Sequence, residues 1–100
     1  MTLTAEIVTF RLIDGTDPAT FAKAAAGMEP FLHATGGMIR RDLSVDADGL
    51  WTDHILWTSE AAAKTAAAAI MQATAAAPFV AMIDGPTAMM RHATVHLQQE

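Results

Sequence analysis

The stretch MIRRDLSVDADGLWTDHILWT, residues 38–58, reads as a β-hairpin, and the rest of the chain can be ordered around it. Met38–Val45 and Leu50–Thr58 are two strands in which apolar and polar residues alternate. DADG at 46–49 joins them, with Asp at the first turn position and Gly at the fourth. That pattern suits a type I turn followed by a left-handed Gly bulge. Such a loop pairs Asp46 with Leu50, hence Asp42 with His54 and Ile39 with Trp57. One face then carries Ile39, Leu43, Val45, Trp51, Ile55 and Trp57. The other carries Arg40, Asp42, Ser44, Thr52, His54 and Leu56. A one-residue slip would set Asp42 against Asp53, two like charges, and so disfavours itself.

Upstream, AEIVTFRLI (residues 5–13) is rich in β-branched and aromatic types and alternates Val8, Phe10 and Leu12 with Thr9 and Arg11, as a half-buried strand does. Asp14-Gly15 turns the chain. Asp17 offers an N-cap, followed by Pro18 at the first helical position. Phe21, Ala25, Met28 and Leu32 recur at helical spacing, Pro30 kinks or restarts the helix, and Gly36-Gly37 stops it. Downstream, Ser59 caps a second helix with a Glu60–Lys64 pair on its outer side and a thin inner side of Ala63, Ala67, Ile70 and Met71. PFVAMID (78–84) is a short further helix closed by Asp84-Gly85-Pro86, and the last strand is Met89–Leu97. The order is strand, helix, strand, strand, helix, strand across one domain, residues 1–100. This is the ferredoxin-like βαββαβ arrangement of the α+β class, a four-stranded antiparallel sheet with both helices on one face.

Composition narrows the function. Of 100 residues, 52% are apolar, but many are Ala; the bulk comes from seven Met, four Phe, two Trp and the aliphatic strand residues, with no Tyr. A core this lean is completed by pairing with a second copy. The sheet face away from the helices still carries Ile7, Leu56 and Met38, so a homodimer is expected. A net charge of −5 with only six Lys and Arg, and no basic run, argues against nucleic acid. Cysteine is absent, which excludes disulfides and thiolate chemistry. MTLTAEIVTF lacks the basic and apolar regions of a signal peptide, and the Ala-rich tract 61–77 is too short and weakly apolar to cross a bilayer. No membrane partner and a cytoplasmic location are expected.

Four histidines are the obvious candidates for chemistry. In MRHATVHL (90–97), His92 and His96 are four apart. On a helix two such imidazoles can share a metal. The alternation of Ala93, Val95 and Leu97 instead argues for a strand, where the spacing spans about 13 Å at ~3.3 Å per residue. No metal or other cofactor is therefore expected. In this fold the first strand lies between the third and fourth, so Thr9, Arg11, Arg40, Asp42, His54, His92, Thr94 and His96 are expected on the sheet face away from the helices. There the Asp42–His54 pair is the candidate general base, with Arg11, Arg40, His92 and His96 as candidate ligand contacts. The alternative is that these groups hydrogen-bond across the dimer interface and set its register. On the helix-facing side Trp57 is a core residue and a candidate ligand contact. Arg41 and Asp53, polar on an apolar face, are expected at the mouth of a helix–sheet cleft or as a peripheral ion pair.

The run HILWTSEAAAKTAAAAIMQATAAAPFV, an apolar third strand ending in Trp-x-Ser-Glu before an Ala-rich helix, resembles the antibiotic-biosynthesis-monooxygenase-like proteins of the dimeric α+β barrel superfamily. PFVAMIDGPTAMMRH is similar to the stretch that links the second helix to the last strand in uncharacterised members. The resemblance covers nearly the whole chain. It implies two protomers whose sheets face each other across a shared barrel, and substrates held between helices and sheet. Two departures matter. Haem-degrading members place a Trp and a His on the second helix, where the matching stretch around Ala66 and Ala76 holds only Ala. Aromatic-polyketide oxygenases use a Tyr, and this chain has none. The resemblance thus implies a cofactor-free monooxygenase- or cyclase-type enzyme acting on a small aromatic or polyketide-like molecule. The alternative is a non-catalytic dimer that binds a small apolar molecule or serves in assembly.

Overall fold

The computed structural model describes residues 2–100. The chain runs β1 (Thr4–Leu12), α1 (Pro18–Ala26), α2 (Glu29–Thr35), β2 (Met38–Val45), β3 (Trp51–Trp57), α3 (Glu60–Ile70), α4 (Ala77–Ala81) and β4 (Ile83–Thr94), with a 3-10 turn at Thr74–Ala76 before α4. The four strands form one antiparallel sheet in the order β2-β3-β1-β4, the ferredoxin-like α+β fold.

The central hairpin forms by the chemistry of its turn. Asp46 Oδ1 accepts the backbone N–H groups of Asp48 and Leu50, the Asp46 N–H donates to Leu50 O at 3.0 Å, and Gly49 takes φ 84°. Asp42 consequently pairs with His54, as expected. Near the far end the register shifts, and Met38 rather than Ile39 pairs with Trp57. This bulge, beside Gly36-Gly37, turns Met38 onto the core and leaves Ile39 half-exposed. Ile39 and Val45 are thus not core residues: Val45, at the hairpin end of an edge strand, is also half-exposed, and Met38 is lost from the opposite face. Gly37 (φ 93°) has no room for a side chain, since a Cβ there would lie 2.8 Å from Ala62 Cβ and from Thr58 Oγ1.

Asp17 caps α1, its carboxylate accepting the Thr20 N–H at 3.1 Å and the Thr20 hydroxyl at 2.8 Å. Pro30 lies in the first turn of α2, where it needs no N–H, so it restarts the helix rather than kinking it. Phe21, Ala25, Met28 and Leu32 nevertheless form one continuous buried stripe. Phe21 stacks on Phe79 at 4.9 Å and meets the edges of Phe10 and Trp51. Ser59 caps α3 by accepting the Ala62 N–H. Ala63 and Ala66 are buried, but Met71, expected in the core, is exposed.

The last strand begins earlier than its alternation suggests. Leu12 pairs with Ile83, Arg11 with Asp84 and Thr9 with Met89, so residues 85–88 bulge out of the ladder. Thr87 Oγ1 holds the bulge closed, donating to Asp84 O at 2.6 Å and accepting the Arg11 N–H at 2.9 Å. Asp84-Gly85-Pro86 is thus part of the strand, not a turn before it. The strand ends at Thr94 rather than Leu97, and a last backbone bond runs from the Val95 N–H to Leu3 O.

Candidate active site

The even-numbered residues of β1 point at the helices: Thr4, Glu6 and Phe10 are buried, and Val8 packs on the core. Glu6 is an acid on an apolar face, and the pairing explains how it is tolerated. Its neighbours across the ladder are Ile55 on β3 and His92 on β4. His92 Nε2 lies 2.9 Å from Glu6 Oε2, with side chains only 15% and 7% exposed. A carboxylate only accepts, so an ionised Glu6 takes this bond from an N–H on the imidazole Nε2. His92 is therefore on the helix side of the sheet, not on the opposite face. The bulge at 85–88 places Met90, His92 and Thr94 in step with Val8, Glu6 and Thr4.

A second buried pair lies on the same side. Arg41 Nη2 donates to Asp53 Oδ2 at 2.7 Å, Nε to Oδ1 at 3.0 Å, and Nη1 to the Ala25 carbonyl at 2.8 Å. The guanidinium also rests 5.3 Å from the Phe79 ring centroid. At 13% and 6% side-chain exposure this is an interior ion pair rather than a peripheral one. It ties the edge strand to the end of α1.

Between these pairs the helices stand off the sheet and leave a cavity of about 400 Å³. Glu6, Arg41 and Asp53 supply its polar groups, and Val8, Ile55, Trp57, Met28 and Leu32 much of its apolar wall. Ala66 and Ala67 form the helical side, where small side chains leave the space unfilled. Met71, Met89 and Met90, all exposed, stand at the opening. Trp57 is 1% exposed, and its Nε1–H has no hydrogen-bond partner among the described residues. Such a buried, unmet donor is uncommon and costly to keep. A shallower, wide-open depression between Phe31 and Gln72 carries no ionisable side chain.

The other candidates do not converge. Asp42 and His54 are opposite each other, but Asp42 Oδ2 accepts from Arg40 Nε at 2.8 Å. The Arg40 bond holds the Asp42 carboxyl below its ordinary range; His54 adds only a small pull in the same direction. His54 is exposed. Arg11 Nη1 donates to Asp48 O in the hairpin turn, and His96 is exposed beyond the end of β4. Glu6 is absent from the residues singled out by sequence, although its parity with Val8 and Phe10 is a signal that it points inward.

No protein-family model and no curated protein matches the sequence. The solved structures do. SnoaB, a cofactor-independent oxygenase from Streptomyces nogalater, superposes with TM-score 0.70 at 19% identity, over 100% of this chain and 97% of that one. A proposed antibiotic biosynthesis monooxygenase from Bordetella bronchiseptica gives 0.77 at 15% identity, over 97% and 100%. A dimeric ferredoxin-like protein of unknown function from Thermobifida fusca gives 0.69 at 12% identity, over 94% and 92%. Likeness at such identities establishes the shared fold. No helix among the described residues is long and apolar enough to cross a membrane.

Proposed function

We propose that this protein takes up a small, flat, mostly apolar molecule between its helices and its sheet and oxygenates it without a cofactor. The observation that carries this is the cavity itself: about 400 Å³, mostly apolar, with a few polar groups in its wall. That is the usual composition of a small-molecule site. The unpartnered Trp57 Nε1–H suits a carbonyl or phenolic oxygen on the ligand. The description of SnoaB as a cofactor-independent oxygenase supports the reaction class. Methionines at the opening suit aromatic guests, because the thioether is polarisable and adapts its shape.

Anthrone, a flat tricyclic molecule with an activated methylene, is a direct test. The purified protein in aerated buffer should consume oxygen and convert anthrone to anthraquinone faster than buffer alone. Binding should quench the fluorescence of Trp57. Binding without turnover would leave a second reading, a non-catalytic binding protein. That reading draws on one feature: the ionic groups in the wall already have partners, Arg41 with Asp53 and Glu6, through one of its oxygens, with His92. Neither binding nor turnover would remove both.

The same reading includes a homodimer. The sheet face away from the helices carries the partly exposed Ile7 and Ala93 along with the buried Leu56. Leaving such apolar area wet forgoes about 25 cal/mol per Å². Light scattering at micromolar concentration should give twice the chain mass; 10.6 kDa would overturn the dimer.

A further inference from the structure

We infer that Glu6 is the group that takes the proton from the molecule in the cavity, with His92 as its positioning residue. This rests on the cavity being the ligand site, and it deepens that reading by naming the base and the kind of substrate. Glu6 lines the cavity and is 5% exposed. Only its Oε2 is engaged, by His92 Nε2 at 2.9 Å; Oε1 accepts no hydrogen bond among the described residues. His92 thus fixes the carboxylate from behind and leaves one oxygen for the ligand. The other ionisable groups in the wall, Arg41 and Asp53, are bonded to each other. Glu6 is the carboxylate left with a free oxygen.

The substrate class follows from that oxygen. It must present an acidic hydrogen, a C–H made acidic by flanking rings and a carbonyl, or the hydroxyl of its enol form. Glu6 takes the proton and becomes a carboxylic acid; the electron pair stays on the substrate as an enolate. Molecular oxygen, the co-reactant, takes that pair and forms a new C–O bond. The resulting peroxide anion recovers the proton from Glu6. Loss of water from the hydroperoxide then turns the methylene into a carbonyl, so CH₂ plus O₂ gives C=O plus H₂O. A ligand with the methylene already oxidised binds but has no proton to give.

The test separates binding from proton transfer. Without oxygen and in D₂O, the wild-type protein should catalyse deuterium exchange into the anthrone methylene. Glu6→Gln should lower that exchange and the aerobic kcat by about 10²–10⁴-fold, the usual contribution of a positioned base. Its affinity for anthraquinone, followed by Trp quenching, should stay within a few-fold, which also shows that the variant folds. Glu6→Asp, with a shorter reach, should lie between. His92→Phe should lower kcat by a smaller factor with KM little changed, and His92→Gln, which keeps an N–H donor, should recover part of the loss. Exchange and turnover that persist in Glu6→Gln overturn the assignment, as does wild-type protein that binds anthrone without exchanging it. Failure of wild-type protein to bind either compound overturns the site reading instead.

Discussion

Asp42 stands directly across the hairpin from His54, but its carboxylate is bonded along its own strand, to Arg40. The bond lowers the Asp42 carboxyl, and a depressed carboxylate stabilises the fold above its unfolded value and loses that effect as pH falls through its folded value. An NMR titration should therefore find Asp42 below the ordinary carboxylate range of ~3.9. Arg40→Gln should bring it back up, whereas His54→Gln should move it little. Because both partners are largely solvent-exposed, overall stability should barely respond.

The interior ion pair should behave in the opposite way. Arg41→Met alone strands Asp53 in the cavity wall, and breaking a buried pair on one side costs about 3–5 kcal/mol. The double change Arg41→Met with Asp53→Leu should recover much of that loss. Urea unfolding of the three proteins decides it, and additive losses would show that the two residues do not act as a pair.

Phe21 touches Phe10, Phe79 and Trp51 and is wholly buried. Phe21→Ala should destabilise by about 3–5 kcal/mol in urea unfolding. A loss below 1 kcal/mol would mean that the aromatic cluster is not the centre of the core.

Gly15 and Gly37 both take positive φ, but only Gly37 is also crowded. Gly15→Ala should cost roughly 1–2 kcal/mol, the price of a left-handed alanine. Gly37→Ala should cost clearly more in thermal unfolding, because Ala62 and Thr58 must also move. Equal losses would count against the close approach of α3 to that turn.

The fold was legible wherever a local rule acted alone. DADG defined a turn, the turn defined the register, and Asp17, Ser59 and Pro30 marked helix starts that the structure keeps. The site was legible only in part. Arg41 and Asp53 stood out as charges on an apolar face, and they do line the cavity. Glu6 did not, and His92 stood out but on the opposite face, because their meeting depends on how β1 pairs with β4. That register is set by the bulge at 85–88, held by a hydroxyl whose two partners are distant in sequence or hidden in the backbone. Counting alternation back from Leu97 put His92 on the wrong face. Met71 failed for a related reason: spacing shows which side of a helix a residue occupies, but not that the helix stands away from the sheet there.

Ala66 and Ala67 have a thermodynamic meaning beyond the room they leave. A wall that does not fill its own interior gives up contacts that a larger side chain would make, so the empty protein sits below the stability its fold could reach. A guest that fills the cavity would restore them, and the melting temperature would then gauge occupancy. At a hundred times its Kd, a ligand adds about 2.7 kcal/mol, a rise on the order of 10 °C for a domain this small. Heating the protein against a panel of flat aromatic molecules would thus rank its guests with no assay of turnover at all. Ala66→Leu, a permanent guest built into the helix, should raise the baseline and flatten the response.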